Sequence, residues 1–446
     1  MRKNFIYAVM LLLGFTACRK TEVEDIFYAS PEQRMADTLN FIRNELKTAQ
    51  YGWKGGFATG LKGGYGFYFQ FDADQNVSML SDYSTTSGTD LKKSTYRVSP
   101  TNTPSLLFDT YNYISIMQDP VPGVAGGTAG QGYKSDIEFI YVGKKGDSLL
   151  FKGKKYSYPL TLIKLGKNEQ QSYLNGGINS YKTNFAAAYN NNYMFSYLSG
   201  GQNGNLGVDI DYAGKIIKFS YVNASGSVTS IVTSPFYYTI SALNLVRSYY
   251  VPYNGKLIKG LTYQGNKIQL IFTDDTTTEL ASQNSPLYKL DLVFDYNKTF
   301  KKLVAGDPIP GVTANVHIFD KVRELFLNSS PTRPINNMYF AFTNSTTAIF
   351  YISYTSGVNP FIASATYQYR REGNRLWLKR TGIDGGNNWN TRSAQVAPVD
   401  ALFGTGDERE FVLDWAASSD ISVKFPIGAI KSATNLNNML YGRLGE

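Results

Sequence analysis

The chain has 446 residues, of which 43% are hydrophobic and 18% are charged. This composition is that of a folded protein rather than a disordered one, and the length is sufficient for two or three domains. The formal charge of +9 is distributed along the chain, which argues against a basic groove for nucleic acid. Tyrosine and phenylalanine are abundant, with 34 and 27 copies, and both residue types favour β-sheets.

Cysteine and histidine occur once each, as Cys18 and His317. One chain therefore cannot form an internal disulfide or a zinc site built from cysteines and histidines. We expect no metal site, and no cofactor other than a covalent lipid. Stability must then come from the burial of apolar side chains, which a chain of this length can supply.

The first 17 residues have the pattern of a signal peptide. Two basic residues, Arg2 and Lys3, precede an apolar stretch at 5–13 that is too short to span a membrane. Small residues then precede Cys18, which resembles the cysteine of a bacterial lipobox, although Phe15 stands where leucine is usual. In such a sequence Cys18 is acylated and becomes the mature N-terminus. The alternative is an ordinary cleaved leader with an idle thiol.

Residues 18–30 are predicted to be a polar tether between the lipid and the folded body. Their acidic residues Glu22, Glu24 and Asp25 resemble the export signals that Bacteroidota place after a lipidated cysteine. Several acyl chains would give durable anchoring, because each buried methylene contributes about 0.8 kcal/mol. We therefore expect a lipid anchor in the outer membrane of a cell envelope, with exposure at the cell surface as a further hypothesis.

The pattern of apolar residues predicts three folded units. Each is rich in short strands separated by turn residues, and the first and third open with a helix. The predicted units are residues 31–165, residues 166–304 and residues 305–446.

Local patterns give the elements of these units. Ser30 is predicted to cap the first helix, and apolar runs at 67–71 and 77–80 predict a hairpin. Residues 120–133 lack an apolar period and are predicted to be a long mobile loop. The predicted fold class is mainly β, with antiparallel meanders forming barrels or sandwiches of a lipocalin-like kind under a few short covering helices. Similar patterns at 137–151 and 258–272 leave open whether two β-rich halves are a duplication.

Several motifs resemble a family of Bacteroidota lipoproteins known as domain of unknown function 4302. They are the lipobox, the helix from Pro31, and the segments at 52–55, 69–74, 107–111 and 132–139. The resemblance covers residues 18–165 and continues mainly at 255–261. It implies an envelope lipoprotein often encoded near SusC/SusD-type uptake components and metallopeptidases, and it brings no catalytic residues.

Five residues are candidates for ligand binding. Trp53 and Trp389 could provide flat platforms for sugar rings or peptide side chains. Arg375, Trp377 and Lys379 alternate along a predicted strand, so they would share one face that suits an anionic glycan. The alternative is core packing for the tryptophans and edge protection for the basic residues.

No catalytic residue is predicted. The spacing of Asp72, Asp74 and Asn76 resembles the start of a calcium loop, but the glycine and glutamate of an EF-hand are missing, which favours a polar hairpin turn. His317 has no placed nucleophile and is interpreted as an ordinary solvated histidine. Carboxylates that could act as a hydrolytic pair are equally explained as solvated side chains; they are Asp209, Asp211, Asp407, Glu408 and Glu410.

Together these patterns favour a non-catalytic envelope lipoprotein. We expect it to bind a glycan or peptide nutrient, or to assist SusC/SusD-type uptake components, and not to bind nucleic acid. Two alternatives remain open, namely a hydrolase that uses carboxylates or a metal, and a structural or assembly lipoprotein of the outer membrane.

Overall fold

The described part of the chain begins with a capped helix. The computed structural model describes residues 30–100, 102–201 and 204–446, so the predicted signal peptide, Cys18 and nearly all of the tether lie outside the described residues. Helix α1 spans Pro31–Thr48, and Ser30 Oγ accepts a hydrogen bond from Gln33 N at 3.2 Å, which confirms the predicted cap. Its buried face packs on the sheet that follows.

The first β-unit is a closed antiparallel barrel of eight strands. The strands are β1 (Trp53–Ala58), β2 (Gly64–Phe71), β3 (Asn76–Ser81), β4 (Lys92–Ser99), β5 (Ser105–Phe108), β6 (Glu138–Lys145), β7 (Ser148–Gly153) and β8 (Pro159–Lys164). Pairing of β8 with β1 closes the barrel, and pairing of β2 with β3 confirms the predicted hairpin. Because consecutive strands are antiparallel, the β1–β2, β3–β4, β5–β6 and β7–β8 connections meet at one end of the barrel.

Aromatic rings fill this first barrel. Phe57 stacks on Phe67 with ring centroids 5.3 Å apart, and Phe67 stacks on Phe69 at the same distance. Burying each phenylalanine contributes about 1.5–3 kcal/mol to folding, so these rings carry much of the stability of the unit. The β5–β6 connection contains two short helices, α2 (Tyr113–Ile116) and α3 (Pro122–Ala125), and only α3 lies within residues 120–133, the segment predicted to be a mobile loop.

The second unit is a nearly closed sheet of ten strands. It begins with helices α4 (Lys167–Leu174) and α5 (Gly177–Asn192). The strands are β9 (Phe195–Gly201), β10 (Gly204–Asp211), β11 (Ile216–Val222), β12 (Val228–Tyr238), β13 (Leu243–Leu245), β14 (Val251–Tyr253), β15 (Lys256–Gln264), β16 (Lys267–Phe272), β17 (Thr277–Glu279) and β18 (Ala281–Gln283). Only Leu280 separates β17 from β18, so one extended segment pairs with β16 and then with β9, at opposite edges of the sheet. A 3-10 helix spans Arg247–Tyr249.

The third unit is a second closed antiparallel barrel of eight strands. Its strands are β19 (Lys302–Ala305), β20 (Ile335–Phe342), β21 (Thr347–Ser356), β22 (Asn359–Glu372), β23 (Arg375–Ile383), β24 (Arg409–Trp415), β25 (Gly428–Ser432) and β26 (Asn435–Gly445). Its helices are α6 (Ile318–Leu327), α7 (Asn388–Thr391) and α8 (Ser393–Phe403), and a 3-10 helix at Leu290–Leu292 precedes it. The predicted boundary between residues 304 and 305 falls inside β19.

The predicted fold class is confirmed, because the described chain is mainly β with closed or nearly closed antiparallel barrels. The segments at 137–151 and 258–272 both contain hairpins, β6–β7 and β15–β16, while the two eight-stranded barrels are the first and third units.

Within residues 30–446, apart from 101, 202 and 203, no helix combines the length and apolarity needed to cross a membrane.

Candidate functional site

The two predicted tryptophan platforms are core residues. Trp53 is 0% exposed in the first barrel, where its indole N–H donates to Leu46 O at 3.1 Å. Trp389 is 1% exposed in the third barrel and donates to Asp400 Oδ1 at 3.2 Å. Because both indoles are buried and hydrogen-bonded, they are not available as ligand platforms, and the core-packing alternative describes them correctly.

The other three candidates do lie together. Arg375, Trp377 and Lys379 follow one face of β23, as their alternation predicts, with both basic residues exposed. However, the guanidinium of Arg370 lies 3.9 Å from the centroid of the Trp377 ring, and Arg375 pairs with Glu410 at 2.9 Å. The ring and one basic group therefore already have partners within the protein.

Two other motifs have structural roles. Asp72 Oδ1 accepts hydrogen bonds from the backbone N–H groups of Asp74 and Asn76 at 2.9 and 2.8 Å, which makes the segment the polar hairpin turn favoured by the sequence. His317 caps α6, where its Nδ1 lies 3.3 Å from Asp320 N and 2.9 Å from Asp320 Oδ2.

A different group of residues forms a cleft where the first barrel meets the second unit. The cleft has a volume of about 540 Å³, within the usual range for small-molecule sites. The first barrel contributes residues from the end where the β1–β2, β3–β4 and β5–β6 connections meet, and the second unit contributes α5, the β10–β11 turn and the end of β12. We call this the junction cleft. Its lining includes Lys62, Tyr65, Asp82, Tyr83, Tyr133, Lys182, Tyr212, Lys215 and Tyr238.

A buried ion pair across the two units forms the base of the junction cleft. Lys215 Nζ donates to Asp82 Oδ2 at 2.6 Å, and the side chains are 10% and 0% exposed. The same carboxylate accepts from Tyr238 N at 2.7 Å and from Gly66 N at 2.9 Å. Three donors from three segments thus converge on the Asp82 carboxylate, which gives a buried charge the partners that it requires.

Glycines allow the two units to approach closely enough for this pair. Gly63 N donates to Gly214 O at 2.8 Å. A Cβ atom at Gly63 would lie 1.8 Å from Lys215 O, and one at Gly66 would lie 2.3 Å from Tyr238 O. Neither position can accept a side chain without separating the two backbones.

Tyrosines form the walls of the junction cleft. Tyr65 stacks on Tyr133 with ring centroids 5.8 Å apart, and Tyr83 packs against Tyr65 at 5.9 Å. Tyr65, Tyr133 and Tyr238 are buried, whereas Tyr83 and Tyr212 are half-buried residues of the lining. Burial raises the pKa of Tyr65, with neighbouring Tyr133 and Asp82 acting in the same direction. The Tyr65 phenol is therefore a neutral hydrogen-bonding group at physiological pH.

The charge of the junction cleft is positive. Three lysines and one aspartate line it, and Asp82 is already paired with Lys215. Lys182 Nζ donates to the carbonyl oxygen of Asp82 at 3.3 Å, and Lys62 Nζ lies 5.0 Å from the centroid of the Tyr133 ring. Among the described residues, neither lysine forms an ion pair with a carboxylate. Burial lowers the pKa of Lys215 to about 8, against the opposing effect of Asp82, and Lys182 lowers it further.

Sequence reasoning missed this site. Asp82 and Lys215 are 133 positions apart and show no local motif, and Tyr133 lies in the segment predicted to be a mobile loop. The one available signal is the run Gly63-Gly64-Tyr65-Gly66, since glycines inside a strand often mark a close backbone approach.

Comparisons with known proteins identify a family but no activity. A family model described as "Domain of unknown function (DUF4302)" matches residues 23–284, more than half of the chain. No curated protein matches the chain. Among solved structures, "H.pylori Beta clamp in complex with 5-chloroisatin" aligns over 78% of this chain and 93% of that chain at 9% identity, but its TM-score of 0.11 means that this likeness carries no argument.

Proposed function

The chain belongs to the family of domain of unknown function DUF4302, and on this premise we propose that it is a non-catalytic binding module of the cell envelope. The proposed ligand is an external nutrient, either a glycan or a peptide, and the proposed binding site is the junction cleft. The observation that carries this proposal is the convergence, in one cleft of about 540 Å³, of tyrosine rings and of lysine ammonium groups that form no ion pair within the described part of the chain.

The location of the junction cleft supports its choice over a larger hollow on the third barrel. That hollow has a volume of about 900 Å³, but it lies outside the family-matched residues 23–284. Its carboxylates Glu408 and Glu410 are already paired with Arg370 and Arg375. All lining residues of the junction cleft fall within the family-matched segment.

The chemistry of the junction cleft favours binding over catalysis. Its one described carboxylate, Asp82, is fully buried and holds three donors, so it serves to position Lys215 and the backbone around it. The remaining polar side chains are phenols, ammonium groups and the hydroxyls of Ser84 and Thr183, which suit recognition of a polar ligand with flat faces.

Replacing Tyr83 by alanine is expected to weaken ligand binding about tenfold, because its half-buried ring is part of the cleft wall. The measurement is binding of the full-length chain in nonionic detergent to glycan and peptide arrays, followed by titration calorimetry with the best ligand. Tyr351→Ala is the matched control, since Tyr351 is also half-buried and stacks on Tyr339 at 4.7 Å on the outside of the third barrel. Equal affinities for the two variants would remove the junction cleft as the binding site.

The envelope location depends on Cys18 and is a separate proposal. We expect mass spectrometry of the protein recovered from membranes to find Cys18 as an acylated N-terminal residue. Cys18→Ser should release the protein from the membrane fraction. Recovery of a bare thiol with the leader still attached would contradict both the anchor and the proposed association with SusC/SusD-type uptake components.

A further inference from the structure

Two lysines of the junction cleft that form no ion pair with any described carboxylate indicate the class of its ligand. Lys62 and Lys182 come from different units, one from the β1–β2 connection and the other from α5. Both are half-buried, and their ammonium groups contact tyrosine rings or a carbonyl oxygen rather than a carboxylate. A partly desolvated cation gains most from a ligand that brings a negative charge, because charge-assisted hydrogen bonds are stronger than neutral ones.

The side chains that form the walls of the junction cleft restrict the class of ligand further. The half-buried Tyr83 and Tyr212 contribute aromatic side chains to the lining, and phenol hydroxyls can donate and accept hydrogen bonds. A sugar ring matches this combination, since it has an apolar face of C–H groups and a rim of hydroxyls.

The topology disfavours an extended peptide. Peptides commonly bind by adding a strand to an exposed sheet edge. The first barrel has no such edge beside the cleft, because β8 pairs with β1 and each of its other strands has two neighbours. Among the described residues, a peptide could therefore not bind beside the cleft by adding a strand to the first barrel.

Resting on the proposed binding function, we infer that the junction cleft is specific for an acidic carbohydrate, with carboxylate groups held between Lys62 and Lys182. The buried ion pair between Asp82 and Lys215 then holds the two units in one relative position. This position sets the distance between Lys62 and Lys182. Lys62 and Lys182 are the specificity-determining residues.

The test compares three probes on the full-length chain in nonionic detergent: galacturonic acid oligomers, galactose oligomers of equal length, and oligoglutamate. We expect the acidic oligosaccharide to bind at least about tenfold more tightly than the other two, and its affinity to fall as salt concentration rises. The double variant Lys62→Ala/Lys182→Ala should lose this preference. The matched control is Lys145→Ala/Lys302→Ala, which removes the same charge at the far end of the first barrel and on the third barrel.

Three results would overturn the inference. Equal binding of acidic and neutral oligosaccharides, both abolished by Tyr83→Ala, would leave the binding function intact and refute the charge specificity. Tighter binding of oligoglutamate would show that the ligand is a peptide. Acidic binding that is unaffected by the double variant would refute the role of Lys62 and Lys182, and if Tyr83→Ala also left it unchanged, the junction cleft would not be the site.

Discussion

Replacing Asp82 by alanine is expected to lower the free energy of unfolding by about 3–5 kcal/mol. The carboxylate is 0% exposed and pairs with Lys215, whose side chain is 10% exposed. Its removal leaves the ammonium group without a counter-charge and leaves Gly66 N and Tyr238 N without an acceptor. The free energies of unfolding of the variant and of the unmodified chain are measured by chemical denaturation, with tryptophan fluorescence and circular dichroism as the signals.

Two further variants separate this effect from general loss of charge. Asp109→Ala removes a partly exposed carboxylate that pairs with the exposed Arg97, and we expect little change because water reaches both groups. Adding Lys215→Met to Asp82→Ala should recover part of the lost stability, since no buried charge then remains. If Asp82→Ala and Asp109→Ala have equal effects, the ion pair does not hold the two units together.

The second large effect is expected at alkaline pH. Burial raises the pKa of many tyrosines, among them Tyr65, Tyr173, Tyr238 and Tyr367. Above pH of about 10 the unfolded chain loses these protons while the folded chain retains them, so folding stability falls as pH rises. Each buried tyrosine then lowers the free energy of unfolding by about 1.4 kcal/mol per pH unit. We therefore expect cooperative alkaline unfolding, with tyrosinate absorbance rising together with the loss of circular dichroism.

Tyr367 allows a direct test of this mechanism. Its side chain is 0% exposed, and its hydroxyl has no hydrogen-bond partner among the described residues, so Tyr367→Phe should cost little at neutral pH. The variant should unfold at a higher pH than the unmodified chain, because one buried group no longer has to retain its proton. Tyr351→Phe, on the outer face of the same barrel, is the control and should shift the midpoint less. Gradual ionisation of the tyrosines without unfolding would contradict this explanation.

Local patterns predicted much of the fold. The first helix, its Ser30 cap and the β2–β3 hairpin all follow from spacing within a few residues, and the structure confirms them. The polar turn at Asp72 also depends on local contacts, because its hydrogen bonds join residues at most four positions apart. Such features are readable from the sequence because the interacting groups are neighbours along the chain.

The candidate site could not be predicted in the same way. Exposure decides whether an aromatic residue is a ligand platform or a core residue, and exposure depends on strands that are distant in sequence. Trp53 and Trp389 looked suitable by residue type, but both are buried, Trp53 in the core of the first barrel and Trp389, on α7, in the core of the third unit. Tyr83 and Tyr212 carry no distinguishing motif, yet they meet at the junction cleft.

The sequence by itself determined the β-rich class, the capped first helix and the resemblance to a family that the match over residues 23–284 shows. Only the tertiary structure decided that strands close into barrels, and that Asp82 meets Lys215 across a glycine-lined contact between two units. The physical reason is that the alternation of apolar and polar residues along a strand indicates which of its faces is apolar. It does not record which distant strand, turn or charge that face will meet.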